Sequence, residues 1–345
     1  MKRIVLQQKA ERDMLAAKAY QPRKEIANSQ ALLSSGLIKL ITGPRRAGKS
    51  VFALQMLSGK NYAYLNFDDN SLLTNFDEDA VMKALAEVYP GYEYLLLDEI
   101  QNLDGWDLWV SELYRSGKNL VVTGSNAKML SSELSTYLSG RCVEYHIQSL
   151  GYSEFLVFHH LPDNNQSLIS YLNNGGMPQL RRTGLAEKDL VNDYLQSVYN
   201  TIVLKDVVER EDIRNLSLLK NLVRFVGDNI GKPFSATSIV KYLKSQQVDS
   251  STKVILSYLD YLCNAFIIHR VNRYDIHGKR LFEINDKYYF EDIGIRNSLV
   301  QGGLAQSIEK IMENAVYLHL VRLGYEVTVG YLQKAEIDFE DNLPS

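Results

Sequence analysis

The stretch "ITGPRRAGKS", Ile41 to Ser50, decides the fold of this chain. It fills the pattern G-x-x-x-x-G-K-[S/T], in which the backbone N–H groups of a glycine-rich turn point at a phosphate. Lys49 would place a charge beside the terminal phosphate oxygens, and the Ser50 hydroxyl would contact Mg²⁺. The alternative is a glycine-punctuated turn that opens a surface helix, so the neighbouring segments must decide.

The segments around this loop alternate between strand and helix patterns. "LIKLIT" precedes the loop, "VFALQML" follows it as a helix, and the other strand candidates are "NYAYLNF", "YEYLLL", "NLVVTG" and "CVEYHI". A continuous apolar run such as "YEYLLL" is typical of a strand that is buried on both faces. Strands that alternate with helices predict right-handed crossovers and therefore a parallel α/β sheet of five strands.

An acidic pair, Asp98 and Glu99, follows the apolar run "YLLL". In a phosphate-loop protein an acid at the end of a neighbouring strand reaches Mg²⁺, and Asp98 has that position. Glu99 is placed to accept the proton of an attacking water. The alternative is that the pair only ends a strand where the chain reaches solvent, but the complete loop upstream favours a Mg-nucleotide site.

A third group of polar residues lies in "VVTGSNA", at the end of a strand expected between the two motif strands. Thr123, Ser125 and Asn126 are candidates for orienting the attacking water, and Asn126 is favoured slightly. The alternative is an ordinary turn in which the asparagine caps a helix.

For three arginines the sequence allows two interpretations each. Arg141, in "YLSGRCVEY", ends a predicted helix before the fifth strand, where its guanidinium could reach the γ-phosphate in a neighbouring subunit. The helix dipole favours an arginine at that position equally well. Arg45 and Arg46, inside the loop, either add positive potential near the phosphates or point to solvent.

The composition restricts the class of protein. With 345 residues the chain has room for two or three domains, and 38 Lys and Arg against 41 Asp and Glu give no global attraction to nucleic acid. Cys142 and Cys263 lie far apart, which indicates neither a disulfide framework nor a zinc site. No signal peptide or membrane span of about 18 apolar residues is recognisable, so we expect a cytoplasmic protein without a membrane partner.

The pattern becomes helical after Gly151. Residues 152–225 read as helices that are interrupted by "NNGGMP", and the next helix candidates are "LLKNLVRFVGDNIG", "SATSIVKYLK" and "SSTKVILSYLDYLCNAF". A β-rich stretch with a turn at Gly278 follows these three helices, which is the order of a winged helix. The last segment predicts a helix around Glu313 and the hairpin "YEVTVGYLQKAEIDF".

Taken together, the motifs resemble one family closely. They are "GPRRAGKS", "YLLLDEIQN", the "GW" of Gly105 and Trp106, "TGSN" and "LSGR". The family is the bacterial and archaeal AAA-type ATPases whose C-terminal part is called domain of unknown function 4143. Further segments follow that family's order, so that the resemblance covers nearly the whole chain: "SLGYSEF", "NNGGMPQ", "KYYFEDIGIRN", "ENAVYLHLVRLGYEV" and "EIDF".

The resemblance implies an α/β architecture with several parts. These are an N-terminal helical segment (1–35), an AAA-type P-loop ATPase core with a parallel sheet (36–150), a helical lid (151–212), a winged helix (213–290) and a truncated α+β segment like restriction nucleases (291–345). It also implies an ATPase that couples nucleotide state to movement of the lid and the winged helix. A nucleotide-gated switch and a DNA-binding regulator, both with negligible turnover, are the alternatives.

The motifs and the resemblance together predict the roles of the site residues, with ATP or ADP as the ligand and Mg²⁺ as the metal. The loop residues would bind the phosphates: Gly43, Pro44, Arg45, Arg46, Ala47, Gly48, Lys49 and Ser50. Ser50 and Asp98 would hold the metal. Glu99 and Asn126 would act on the attacking water, and Arg141 would act within a homo-oligomer.

A nuclease site is expected to be incomplete. Such a site needs an acid on a helix, an acid on a strand and a lysine beyond a further acid. Glu313, and Asp338 with its neighbour Glu336, could supply the carboxylates, but Lys334 precedes the acid and the chain ends at Ser345. We therefore expect no nuclease activity.

The winged helix carries a modest basic cluster. Lys253 lies on its third helix, and the wing contributes Arg270, Arg273, Lys279 and Arg280. Such a cluster predicts at most a weak, salt-sensitive DNA contact. The favoured alternative is a module that packs on the ATPase core and relays its nucleotide state.

Overall fold

The structure is a computed structural model that describes residues 1–24, 26–129, 138, 140–211, 213, 215–275, 286–300, 307–332 and 335–342. The chain divides into two compact units, Met1–Ile147 and Gln148–Ser345. No helix among the described residues combines the length and the apolarity needed to cross a membrane.

The first unit contains one parallel sheet of five strands. These are β1 (Ile38–Thr42), β2 (Tyr62–Asn66), β3 (Tyr94–Asp98), β4 (Asn119–Gly124) and β5 (Cys142–His146). Their order across the sheet is β2-β3-β4-β1-β5, so β4 lies between the two motif strands β1 and β3. Every residue of β1 is buried, as expected for a strand covered on both faces. The predicted parallel sheet is confirmed.

Six helices and two 3₁₀ turns surround this sheet in the described part of the first unit. The helices are α1 (Lys2–Ala16), α2 (Ile26–Leu33), α3 (Lys49–Met56), α4 (Asn70–Thr74), α5 (Glu78–Val88) and α6 (Trp106–Arg115), and the turns are Ile100–Asn102 and Ala127–Met129. Helix α1 packs on α5 and on the edge strand β2. There the Gln8 side chain donates to Asn66 O (3.1 Å) and accepts from Asn66 N (2.9 Å).

The second unit is mainly helical. Its described helices are α7 (Tyr152–His159), α8 (Asn165–Asn174), α9 (Leu180–Thr183), α10 (Lys188–Thr201), α11 (Leu216–Asp228), α12 (Ala236–Ser245), α13 (Thr252–Asn264), α14 (Ile293–Leu299) and α15 (Ile308–Arg322). A π-helix, Ile202–Val208, continues α10. The described strands are β6 (Ile268–Val271), β7 (Arg273–Asp275), β8 (Lys287–Phe290), β9 (Glu326–Leu332) and β10 (Ala335–Asn342).

Helices α11, α12 and α13 are followed by the antiparallel pair β6–β8, in the order predicted for a winged helix. Strand β7 belongs to a different sheet, in which it pairs in parallel with β9. Strands β9 and β10 form the expected hairpin. The predicted turn at Gly278 lies outside the described residues. A winged helix and a nuclease-like segment are not confirmed, and the predicted boundaries at 212 and 290 fall within one hydrophobic core. They therefore stay predictions.

Two motifs from the sequence, "NNGGMPQ" and "KYYFEDIGIRN", meet in the second unit. Gly176 N donates to Asp292 Oδ2 (2.8 Å), and Asn297 Nδ2 donates to Leu172 O (2.8 Å) at the end of α8. A Cβ on Gly294 would lie 2.0 Å from Asn174 O, so this backbone approach requires glycine. We call this contact between the two motifs the glycine junction.

Candidate nucleotide-binding site

The loop that follows β1 has the conformation needed to surround an anion. Gly43 has φ 135°, and a Cβ there would lie 2.1 Å from Ile147 O, so no larger residue fits. Gly48 has φ 101° and immediately precedes α3. The free N–H groups at the start of α3 and its dipole favour a negative charge at this position. The structure therefore confirms that the loop lies between a buried strand and a helix.

Lys49 points back into its own loop. Its side chain is 3% exposed, and Nζ donates to Pro44 O (3.1 Å) and lies 3.3 Å from Glu99 Oε1. A buried ammonium group needs an anionic or polar partner, and here both are present. This contact joins the end of β3 to the loop after β1.

Ser50 and Asp98 provide two adjacent oxygen atoms. Ser50 Oγ donates to Asp98 Oδ1 (2.8 Å), Thr123 Oγ1 donates to the same oxygen, and Tyr64 OH donates to Asp98 Oδ2 (3.1 Å). Burial and the neighbouring Glu99 carboxylate raise the pKa of Asp98 to about 6. Mg²⁺ prefers oxygen ligands and is usually held by one or two protein groups together with phosphates and waters. The donor pair Ser50 and Asp98 fits that ion.

Glu99 is buried, ionised and held in a left-handed backbone conformation, with φ 53°. Its Oε2 accepts from Gln101 Nε2 (2.6 Å) and from Ser125 Oγ (3.1 Å). Burial alone would raise the pKa of this carboxyl, but the charges of Lys49 and Arg45 and these hydrogen bonds outweigh it and lower the pKa to about 2. Backbone strain of this kind is concentrated at functional sites.

The three candidates at the end of β4 take different places. Thr123 Oγ1 contacts Asp98 and accepts from Glu99 N (3.0 Å), while Ser125 contacts the Glu99 carboxylate. Asn126 is buried directly after Ser125, and its carbonyl accepts from Met129 N. The hydroxyls of Thr123 and Ser125 thus contact the acidic pair.

Arg141 lies at the end of the sheet where the strands begin, opposite to the end where the phosphate loop lies. Its carbonyl accepts from Ile38 N, at the start of β1, whereas the phosphate loop leaves the end of that strand. The five residues of β1 separate these two ends by about 16 Å. The guanidinium lies over the ring of Tyr114, 5.9 Å from its centre. Within one chain, therefore, Arg141 does not join the other candidates; the predicted helix before it lies largely outside the described residues.

The two loop arginines differ in their surroundings. Arg45 is buried, and its Nη1 lies 3.3 Å from Asp68 Oδ2, which excludes the solvent-facing alternative for this residue. Arg46 is exposed and has φ 73°.

Sequence reasoning missed several polar partners of the site: Arg23, Tyr64, Asp68 and Gln101. Arg23 donates to Ala47 O in the loop (3.3 Å), and the others contact Arg45 or the acidic pair. Gln101 lies within the motif "YLLLDEIQN", so its position offered a signal. The others become neighbours of the site only through the strand order and the packing of the N-terminal segment.

The candidate nuclease and DNA residues are partly described. Glu313 accepts from Lys287 Nζ (2.9 Å) and Tyr289 OH (2.6 Å), so its carboxylate is neutralised by a buried lysine. Arg270 pairs with Asp260 (2.8 Å). Lys253 is exposed on α13. The side chains of the remaining candidates lie outside the part that the structure describes: Arg273, Lys279, Arg280, Lys334, Glu336 and Asp338.

Comparison with known proteins assigns the family. A family model for an AAA domain matches residues 35–156. An uncharacterized protein of Haemophilus influenzae is 35% identical over 319 residues, which cover 88% of this chain and 78% of that protein. An uncharacterized protein of Methanocaldococcus jannaschii is 31% identical over 321 residues, covering 88% and 71%. The chain belongs to one family with these two relatives. Its first unit carries an AAA domain.

The remaining matches refine this assignment. The Walker-type ATPase of Pyrococcus abyssi superimposes with a TM-score of 0.54 at 15% identity, covering 81% of this chain and 95% of that chain, which shows a shared fold. A second family model, domain of unknown function 8612, matches residues 165–306 of this chain. The expected match to domain of unknown function 4143 is therefore not confirmed.

Proposed function

We propose that this protein binds Mg-ATP in the loop 43–50 and hydrolyses it, with Glu99 as the general base. The observation that carries the proposal is the pair of contacts Lys49–Glu99 and Ser50–Asp98, which join the loop to the end of β3. The match of residues 35–156 to an AAA domain supports ATP binding.

The roles follow from the chemistry of each group. Gly43 and Gly48 let the loop N–H groups surround the phosphates, Lys49 contributes its charge, and Ser50 and Asp98 supply oxygen ligands for Mg²⁺. The ion, when bound, neutralises charge on the phosphate oxygens. Glu99 takes the proton of the attacking water. Its lowered pKa keeps the carboxylate ionised. Asn126 is proposed to orient that water.

Arg141 is proposed to act on the ATP of a neighbouring copy. Its place at the opposite end of the sheet keeps it from the loop of its own chain, and a guanidinium supplied from another subunit stabilises the charge that develops during phosphoryl transfer. The ATP cycle would move the lid (151–212) and the winged helix (213–290) of the second unit.

The test is steady-state ATP turnover as a function of protein concentration. We expect turnover per subunit to rise with concentration, and to fall by about 100-fold or more in Glu99→Gln because the base is lost. Arg141→Ala should lose the concentration-dependent part. Arg115→Ala is the matched control, because this arginine is exposed, its pair with Glu112 is long at 3.9 Å, and the variant should behave like the parent.

ATP binding without Glu99-dependent turnover would contradict hydrolysis and would favour a nucleotide-gated switch. One observation favours that second candidate: the carboxylate of the base is paired with Lys49 in this structure. A DNA-binding regulator stays a prediction, and the pairing of Arg270 with Asp260 does not support it.

A further inference from the structure

Arg45 is a buried arginine in a loop that already contains a buried lysine. Its side chain is 9% exposed, and Nη1 lies 3.3 Å from Asp68 Oδ2, whose side chain is 36% exposed. A guanidinium stays charged in proteins, so a buried one requires an anion within reach. In this structure Asp68 is an anion within that reach.

Asp68 is held in place by Asn102 and by Asn66, the last residue of β2. Asn102 Nδ2, after β3, donates to Asp68 Oδ1 (2.9 Å), and the backbone N–H of Asp68 donates to Asn66 Oδ1 (2.9 Å) at the end of β2. Strands β2 and β3 are parallel to β1, so these contacts lie at the carboxyl ends of the strands, where the phosphate loop also begins. The Asp68 carboxylate therefore holds the Arg45 guanidinium near the carboxyl ends of the strands, beside the phosphate loop.

The charge of Arg45 acts on the same carboxylate that Lys49 contacts. This carboxylate is that of Glu99, whose Oε1 is 3.3 Å from Lys49 Nζ. In loops of this type the lysine contacts the β- and γ-phosphates. A terminal phosphate beside Lys49 would thus lie within electrostatic reach of Arg45.

We propose that Arg45 is a second phosphate-binding cation of this site, and that Asp68 competes with the terminal phosphate of ATP for its guanidinium. The inference rests on the proposed ATP binding and adds a basis for preferring ATP over ADP. A terminal phosphate offers more charge and more acceptor oxygens than one carboxylate, so it displaces Asp68. ADP lacks that group and leaves the Arg45–Asp68 pair intact. The exchange forms and breaks no covalent bond.

The test is equilibrium binding of β,γ-methylene ATP and of ADP to four proteins: the parent, Asp68→Asn, Arg45→Gln and the double variant. Removing a partly exposed ion-pair partner should tighten triphosphate binding in Asp68→Asn by about fivefold. ADP affinity should stay within about twofold of the parent in that variant. Arg45→Gln should weaken triphosphate binding by about tenfold, because a charge-assisted hydrogen bond is lost.

The double variant decides whether the effect passes through Arg45. Asp68→Asn should change nothing in the Arg45→Gln background, since the competitor then has no guanidinium to release. Arg46→Gln is the matched control background, because it removes an equal charge from the same loop; there Asp68→Asn should keep its full fivefold effect. If Arg45→Gln loses stability, the ATP-over-ADP selectivity of Asp68→Asn still decides the question.

Equal tightening of both nucleotides, or the same gain in the Arg45→Gln background, would overturn this inference and leave the proposed function standing. A parent protein that binds neither nucleotide, while Lys49→Ala changes nothing, would overturn the proposed function and this inference together.

Discussion

At the scale of single residues, the backbone angle of Arg46 predicts a difference in stability between two variants that both lack its charge. Its φ of 73° costs a residue with a Cβ about 1 kcal/mol, whereas glycine adopts the same angle without that cost. We therefore expect Arg46→Gly to have a free energy of unfolding about 1 kcal/mol above that of Arg46→Ala. Denaturant unfolding measures both, and the missing guanidinium cancels because both variants lack it. Equal values would show that the loop relaxes without strain.

The residues of the site differ in how far the sequence predicts them. Lys49, Ser50 and Asp98 follow from spacing alone, because a phosphate loop and the end of a buried strand leave few positions for them. The site roles themselves stay predictions. Tyr64 and Asp68 could not be found, because their approach to Asp98 and Arg45 depends on the order of the strands, which no local pattern encodes.

At the scale of elements, the glycine junction predicts a large effect of one methyl group. In Gly294→Ala the new Cβ would meet the carbonyl of Asn174 at 2.0 Å, and backbone cannot move as cheaply as a side chain. We expect the free energy of unfolding to fall by about 2 kcal/mol. Gly36→Ala is the control, because a Cβ there has nothing within 4 Å. A Gly294→Ala protein as stable as that control would contradict the close approach.

Elements whose sequence periodicity reflects their burial were predicted well. Strands β2, β3 and β4 carry continuous apolar runs and are largely buried, which is what burial on both faces requires. Strand β5, at the edge of the sheet, is only partly buried and contains the charged residue Glu144. The π-helix Ile202–Val208 and the pairing of β7 with β9 were not predicted. The first depends on packing against the rest of the core, and the second joins segments more than fifty residues apart.

At the scale of the whole molecule, buried acids should make stability depend on pH. Burial raises the pKa of Asp292 to about 6, above its ordinary value of 3.8. A raised pKa in the folded state means that this group stabilises the fold fully below about pH 4, and that this contribution is lost as the pH rises through about 6. The loss amounts to about 3 kcal/mol at most, at 1.4 kcal/mol per pKa unit.

The matching experiment compares the parent with Asp292→Asn, which keeps a side-chain oxygen for Ile295 N or Gly176 N but cannot ionise. Denaturant unfolding at pH 4.5 and pH 6.5 should show a smaller fall in stability for the variant. Asp98 contributes in the same direction in both proteins, so it cancels. Equal falls would mean that Asp292 does not titrate in this range.

The architecture as a whole was predictable where it repeats a simple rule. Alternating strands and helices predict a parallel sheet with its polar motif residues at one edge, and the family assignment agrees with that part. The second unit follows no such repeat. Its helices share one hydrophobic core, so divisions into lid, winged helix and C-terminal segment cannot be derived from local pattern.

The contact between Gln8 and Asn66 predicts what would happen to a chain that lacks the first helix. Strand β2 is an edge strand, and the amide of Gln8 occupies the same backbone groups that a further strand would use. A chain that began after Ala16 would present those groups unshielded, and exposed strand edges pair readily with one another. Without the first helix, we expect copies of the protein to pair with one another along β2.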